Sequence, residues 1–423
     1  MKKESKMRFL ELEGVRGLAA VMVVLHHFVL AFFPMIIYGH SQVQHMRFED
    51  NMYGGIFALP FAGTLAVAIF FVLSGFVLSV GFFQSGDESI VRKLAVKRYI
   101  RLMIPALATT LVCFVIIKFG GINLVNGVGS ITQSLWLVDE WNFQPTLLHA
   151  VQSGAFGVFM VGGSPYNGVL WTMTIEFLGS FLVFILLLLC GGSKNRWTAY
   201  VLAAILTFNT WYFAFVAGMV VADLYVQKRL NFLSKSRAFL IVGGLAALLL
   251  GAYPQMGVEM TAYAQIDTFF SSLGLSVRIV ALTLSSLLII LLVLTNNTLT
   301  HILKKPRIST LGKYTFALYL VHIPVMYTVG FGSFLALYPI TGYNLAVVLS
   351  FLFMTPVIII ATVLFEKYVD KPAVEMSNRF ASLQLEKAGY TSPRKVMRKI
   401  IYAVFGRPRK QQETLLVEEV LVD

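Results

Sequence analysis

Residues 15–36 read VRGLAAVMVVLHHFVLAFFPMI, an apolar run with one arginine near its start and two adjacent histidines near its middle. As a helix the run is long enough to cross the roughly 30 Å hydrocarbon core of a bilayer. Lys2, Lys3, Lys6 and Arg8 precede it, as basic residues precede the apolar part of a secretory leader. The stretch from Leu18 to Met35 nevertheless holds His26 and His27, ends around Pro34 and carries no small-residue cleavage pattern. It therefore reads as a retained first helix.

Comparable runs recur at about 61–83, 102–118, 170–190, 197–208, 211–227, 238–253, 277–295, 314–337 and 343–365. Of the 423 residues 57% are hydrophobic and 13% charged, against about a quarter charged in soluble domains. No soluble core needs so many apolar segments, so the solvent is lipid. The expected fold is all-α: a polytopic integral membrane helical bundle of about ten transmembrane helices. Cys113 and Cys190 give neither a disulfide framework nor a metal-site spacing. No internal repeat is visible.

The net charge of +13 would suit nucleic acid, but its distribution argues against that partner. Apart from Arg47, Lys118 and Arg278, every one of the 34 basic residues falls in the terminal segments or in alternate connections between apolar runs. That pattern orients a membrane protein and predicts that both termini are cytoplasmic. Asn209-Thr210 separates the fifth and sixth runs. Merging them would put Lys194 and Arg196 across the membrane from Lys228, Arg229, Lys235 and Arg237, so two short helices are expected. The long outer connection, about 119–169, holds Asp139 and Glu140 and no Lys or Arg; its stretch near 147–161 is a candidate for partial insertion. Residues 373–423 read as a basic cytoplasmic tail, amphipathic or disordered.

Ionisable groups inside a bilayer are costly and are functional candidates by default. Arg16 and His27 are eleven residues apart, about 16 Å along a helix and about three whole turns, so they share a face while His26 points away. His27 is then either a reactive group or a hydrogen-bonding partner for a neighbouring helix. Arg98 and Arg101 share one face at the start of the third apolar run; paired guanidinium groups suit phosphate, although taken alone the pair reads more readily as a positive-inside anchor. Glu176 lies two turns into Leu170-Trp171-Thr172-Met173-Thr174-Ile175-Glu176-Phe177, and His322 closes Tyr319-Leu320-Val321-His322.

Taken together, the Arg-x10-His of Arg16 and His27, the run Phe70-Phe71-Val72-Leu73-Ser74-Gly75-Phe76, the Arg98/Arg101 pair, Leu170-Trp171 with Glu176, and Tyr319-Leu320-Val321-His322 resemble the membrane acyltransferase-3 family. Its members O-acylate surface polysaccharides, Nod factors and related acceptors. The resemblance spans about residues 10–372 in the family's order, making 1–372 a membrane acyltransferase domain, with no esterase-like extracellular domain following. It implies an acyl group, acetyl foremost, moving from cytosolic acyl-CoA to a hydroxyl of a carbohydrate or lipid-linked acceptor in the cell envelope. It further implies His27 as the central catalytic group, either base or acyl relay. Arg16 would hold the donor or stabilise developing charge, and Glu176 would orient His27 or the acceptor. Arg98 and Arg101 would take the donor's phosphates, and His322 and Trp171 would contact substrate. Acyl-CoA would be a co-substrate, with no covalent cofactor and no metal. Membrane lipids would be the other partner. The inner (plasma) membrane is the expected location, a eukaryotic internal membrane the alternative. The rival classes are a transporter or flippase, and a non-catalytic receptor of the same fold.

Overall fold

The computed structural model describes residues 9–138 and 140–388. The N-terminal lysines, Arg8, Asp139 and the tail after 388 lie outside the described residues. Among these, all regular structure is helical. The main helices are α1 (Leu10–Phe32), α2 (Gly63–Ser85), α3 (Glu88–Lys118), α4 (Gly121–Thr132), α5 (Leu147–Met160), α6 (Gly168–Gly191), α7 (Arg196–Thr207), α8 (Tyr212–Val226), α9 (Arg237–Gly251), α10 (Val277–Thr295), α11 (Leu311–Val325) and α12 (Phe331–Phe365).

Six described helices are long and apolar enough to cross a membrane. The last is a composite, Pro306–Lys387, that includes α11 and α12. Gly342 breaks it with φ 74°, a left-handed value that suits glycine, between the two apolar runs read from the sequence. Three further apolar helices, α5, α8 and α9, are shorter. The protein is thus a multi-pass membrane bundle. The expected break at Asn209-Thr210 is present, since α7 ends at Thr207 and α8 begins at Tyr212. Two differences from the sequence reading are instructive. α3 begins at Glu88, well before its apolar run, because apolarity marks only the stretch in lipid while the helix continues into water. The outer connection holds a helix, α4, whose glycine-rich sequence (GINLVNGVGSIT) hides it from propensity.

Burial orders the bundle. In α2 78% of the apolar window is buried within the protein, and in the Pro306–Lys387 composite only 28%. A helix apolar on every side and mostly covered by protein is axial; one apolar but uncovered faces lipid. The turn from α2 to α3 is a single tight corner. Gly86 closes α2 in the left-handed conformation, and the Asp87 carboxylate caps α3 by accepting from the Ser89 amide at 2.8 Å. Two close helix contacts fix the geometry. A Cβ on Gly75 of α2 would lie 2.1 Å from the Phe215 carbonyl oxygen, and one on Gly218 of α8 2.0 Å from that of Val72. On the other side, a Cβ on Gly17 of α1 would lie 2.4 Å from Leu311 Cβ, and one on Gly312 of α11 2.5 Å from Glu13 Oε2. Small residues let these backbones approach closely. The second contact clamps α1 to α11, which carry His27 and His322.

Candidate active site

At the end of the bundle where Arg16 lies, α1, α2, α3, α6 and α11 enclose a cavity of ≈ 380 Å³. Arg16, Arg98, Arg101, Glu176, Tyr319 and Asp370 line it, with Phe70 and Phe71 on its apolar wall. Each arginine comes with a carboxylate. Arg98 donates to Glu176, which also accepts from the Ser74 hydroxyl at 2.7 Å. Arg101 donates to Asp370 at 2.6 Å and lies over the Phe316 ring. Arg16 pairs with Glu13 at 3.2 Å. Arg98 and Glu176 are only 14% and 15% exposed, so little water screens their attraction. The Arg98 Nε is buried without a partner.

Further along α1 the two histidines diverge as their phase requires. His26 turns to the loop before α2, its Nδ1–H donating to the Phe61 carbonyl at 2.8 Å. Its ring packs so tightly on Gly63 that a Cβ there would lie 2.5 Å from it. His27 faces α11 instead. Its Nδ1 lies 2.9 Å from the Val23 carbonyl and 3.1 Å from His322 Nε2, while His322 Nδ1 lies 3.1 Å from the Leu318 carbonyl. A carbonyl can only accept, so each Nδ1 carries the proton. With both rings neutral, His322 Nε2 accepts from His27 and the lone pair of His27 sits on Nε2. Among the described residues that nitrogen makes no protein hydrogen bond. The indole of Trp136 packs on His27 with ring centres 5.2 Å apart.

The seat of His322 follows from a proline. Pro324 in α11 has no N–H for the carbonyl four residues back, that of Leu320. That carbonyl accepts instead from the Thr109 hydroxyl at 2.9 Å and from Asn167 Nδ2 at 3.1 Å. Asn167 also donates to Thr109 at 3.0 Å. All these groups are buried, and α3 and the start of α6 are thereby tied to the turn bearing His322. Below it, Tyr319 donates to the Val169 carbonyl at 2.8 Å and meets Thr172 at 3.0 Å.

Arg16, Arg98, Arg101 and Glu176 thus surround one cavity, and His27 and His322 touch each other above it, linked to its wall through Tyr319 (ring centres of Tyr319 and His322 6.1 Å apart). Glu176 engages Arg98 and Ser74; the group on His27 is His322. Trp171 stacks toward Trp211, 6.4 Å between ring centres, while its neighbours Thr172 and Met173 line the cavity. Sequence reasoning missed Trp136, Asn167, Thr109 and Asp370. Asn167 carried a readable signal, a polar amide just before an apolar helix; Asp370 and Thr109 act only through distant partners.

A lipid-embedded helical bundle with a histidine pair above an arginine-lined cavity defines a polytopic membrane protein built around an intramembrane polar centre. The chain belongs to the acyltransferase-3 family: the family model described as an acyltransferase domain matches residues 9–365. It is 25% identical over 245 residues to the O-acetyltransferase PaAT-1 of Phomopsis amygdali, an alignment covering 51% of this chain and 48% of that protein. The chain therefore spans about half the length of the curated relative it matches. No solved structure matches it.

Proposed function

We propose that the protein transfers an acyl group, acetyl foremost, from cytosolic acyl-CoA to a hydroxyl of a carbohydrate or other cell-envelope acceptor. The observation that carries this reading is the free Nε2 of His27, held in a fixed tautomer between Val23 and His322 above a cavity with three arginines. The donor's phosphates bind Arg98 and Arg101 by displacing Glu176 and Asp370, and the thioester reaches upward past Tyr319.

Two balanced routes use the same atoms. As a base, Nε2 takes the acceptor hydroxyl proton while the oxygen attacks the thioester carbon. The C–S bond then breaks, and the proton passes from Nε2 to the CoA thiolate. As a relay, Nε2 attacks the thioester carbon itself and the CoA thiolate departs. Nδ1 gives its proton to His322 Nε2, leaving a neutral acyl-imidazole. The acceptor hydroxyl then attacks its carbonyl carbon and the C–N bond breaks, His27 Nδ1 taking its proton back from His322 while the hydroxyl proton passes to the CoA thiolate. In both routes His322 stabilises the charge that develops on His27, and Arg16 faces the donor. The acceptor arrives from the membrane face opposite the arginines, and the plasma (inner) membrane is the proposed location.

The test is transfer from radiolabelled acetyl-CoA by purified protein in nanodiscs. Donor-dependent labelling of an envelope extract, absent in His27→Ala, is expected. An acid-labile label on His27 in single turnover selects the relay. Donor that binds but is never cleaved would sink the reading.

A further inference from the structure

The four arginines other than Arg278 that reach into the bundle's interior polar contacts, Arg16, Arg98, Arg101 and Arg196, each hold a carboxylate. Arg278, at the start of α10, has no carboxylate within ion-pair distance among the described residues. Its Nη2 donates to neutral oxygens, Thr64 Oγ1 at 2.6 Å and Gln255 Oε1 at 3.3 Å. Its Nε is fully buried and unpaired. Arg278 is partly exposed as a residue, but a guanidinium whose Nε is shut off from water with no counter-charge at hand is unfavourable unless something supplies that charge.

Arg278 lines a pocket of ≈ 50 Å³ together with Thr64, Tyr253, Gln255 and His26. Its walls come from the loop before α2, the end of α9 and the start of α10. These sit at the end of the bundle away from Arg98 and Arg101: on α2 the pocket takes residues 63–65, while the arginine cavity extends to Leu78. The space admits one small oxyanion group and excludes a sugar ring. On its inner side stands His26, whose ring centre is 5.1 Å from that of His27.

We propose that this pocket is an oxyanion site that anchors the acceptor by a carboxylate or phosphate group, one histidine ring away from His27. The assignment of the occupant as acceptor rests on the acyl-transfer reading above; the site itself does not. The enzyme then selects anionic acceptors, uronic acids or phosphorylated sugars, over neutral ones.

The experiment measures thermal stability of the purified full chain in phosphatidylcholine nanodiscs, without acyl-CoA, at constant ionic strength. D-glucuronate and inorganic phosphate should stabilise it saturably, whereas D-glucose and chloride should not. Arg278→Gln should weaken glucuronate binding at least tenfold. Arg278→Lys and Thr64→Val, which keep a cation but lose the fork or its support, should weaken it severalfold. Equal stabilisation by chloride, or undiminished glucuronate binding in these variants, overturns the site. Stabilisation by phosphatidylglycerol nanodiscs with no response to glucuronate or phosphate makes it a lipid site and overturns the acceptor assignment. Anion binding intact with no acyl transfer removes the functional reading alone; transfer intact with no anion binding removes the pocket alone.

Discussion

His322 Nε2 stands 3.1 Å from His27 Nδ1, across the glycine-clamped contact of α1 and α11. The two rings are 295 residues apart in sequence, yet one fixes the proton of the other. A histidine whose Nδ1–H is committed presents its second nitrogen as a lone pair, the form needed by a base or a nucleophile.

His27→Ala removes that lone pair and should lower acyl transfer by about 10²–10⁴-fold. The same change at His26 removes one hydrogen bond to Phe61 and a ring on Gly63, contacts worth about 0.5–2 kcal/mol in membrane helices. Transfer by His26→Ala to a neutral acceptor is expected to stay within about tenfold of wild type, His26 being also a wall of the Arg278 pocket. The comparison is made at matched membrane expression. An active His27→Ala protein would reject the register on which the mechanism depends.

Asn167→Ala strips the Leu320 carbonyl of one of its two donors and Thr109 of a partner. The expected destabilisation is about 1–3 kcal/mol. Pro324→Ala returns an N–H to the same carbonyl, so Asn167→Ala should cost less in a Pro324→Ala background. A thermal-shift double-mutant cycle reads this coupling. Strict additivity would mean that the proline and the amide do not share Leu320.

Arg98→Ala leaves Glu176 buried with only Ser74, and breaking such a pair costs about 3–5 kcal/mol. It should also weaken acyl-CoA binding through loss of a charged contact of about 1.5–3 kcal/mol. Glu176→Gln separates the two effects. It frees Arg98 from its carboxylate, so donor affinity should rise while the protein stays folded. Isothermal titration with acetyl-CoA decides. Donor binding unaffected by Arg98→Ala and by Arg101→Ala would reduce both residues to topology anchors.

Burial in the outer connection pushes the Glu140 carboxyl from 4.5 up to about 7, the Tyr327 hydroxyl pulling weakly the other way. Between those values the folded protein holds a proton that the unfolded chain has lost. Stability from this group is therefore full at low pH and falls as pH rises through about 7. The melting temperature should decline between about pH 4.5 and pH 7, and Glu140→Gln should flatten that decline. An unchanged slope in the variant would place the titrating group elsewhere.

The sequence-derived topology makes its own prediction. Single cysteines at Glu88 and Lys235 should be shielded from a membrane-impermeant reagent applied outside intact cells, and one at Asn142 should react. Labelling at position 88 or 235 would invert or redraw the bundle.

Much of this was legible before the structure. Hydropathy alone marks where helices meet lipid, because nothing else tolerates twenty apolar residues in a row. The eleven-residue spacing put Arg16 and His27 in phase and turned His26 away, and the rings diverge accordingly. The pairing of Arg98 with Glu176, and of His27 with His322, was not legible. Such partners come from helices far apart in the chain, and helical periodicity says which face a residue takes, not which helix that face meets. Asp370 illustrates the limit. It lies beyond the last apolar run, where a carboxylate reads as solvated, yet the continuous helix from α12 brings it back to Arg101.

The pairing of every cation around the inner cavity has a last consequence. Arg16 with Glu13, Arg98 with Glu176, Arg101 with Asp370 and Lys313 with Glu366 leave the chamber's lining, among the described residues, close to electroneutral. Opposed charges a few ångströms apart cancel at a distance, so these four pairs themselves add little field at the cavity mouth beyond a Debye length of about 8 Å. These paired side chains thus do little to draw inorganic phosphate or nucleotides in from afar. A ligand that offers its own oxygens at the right separation exchanges places with the resident carboxylates, so the lining discriminates by exchange at close range.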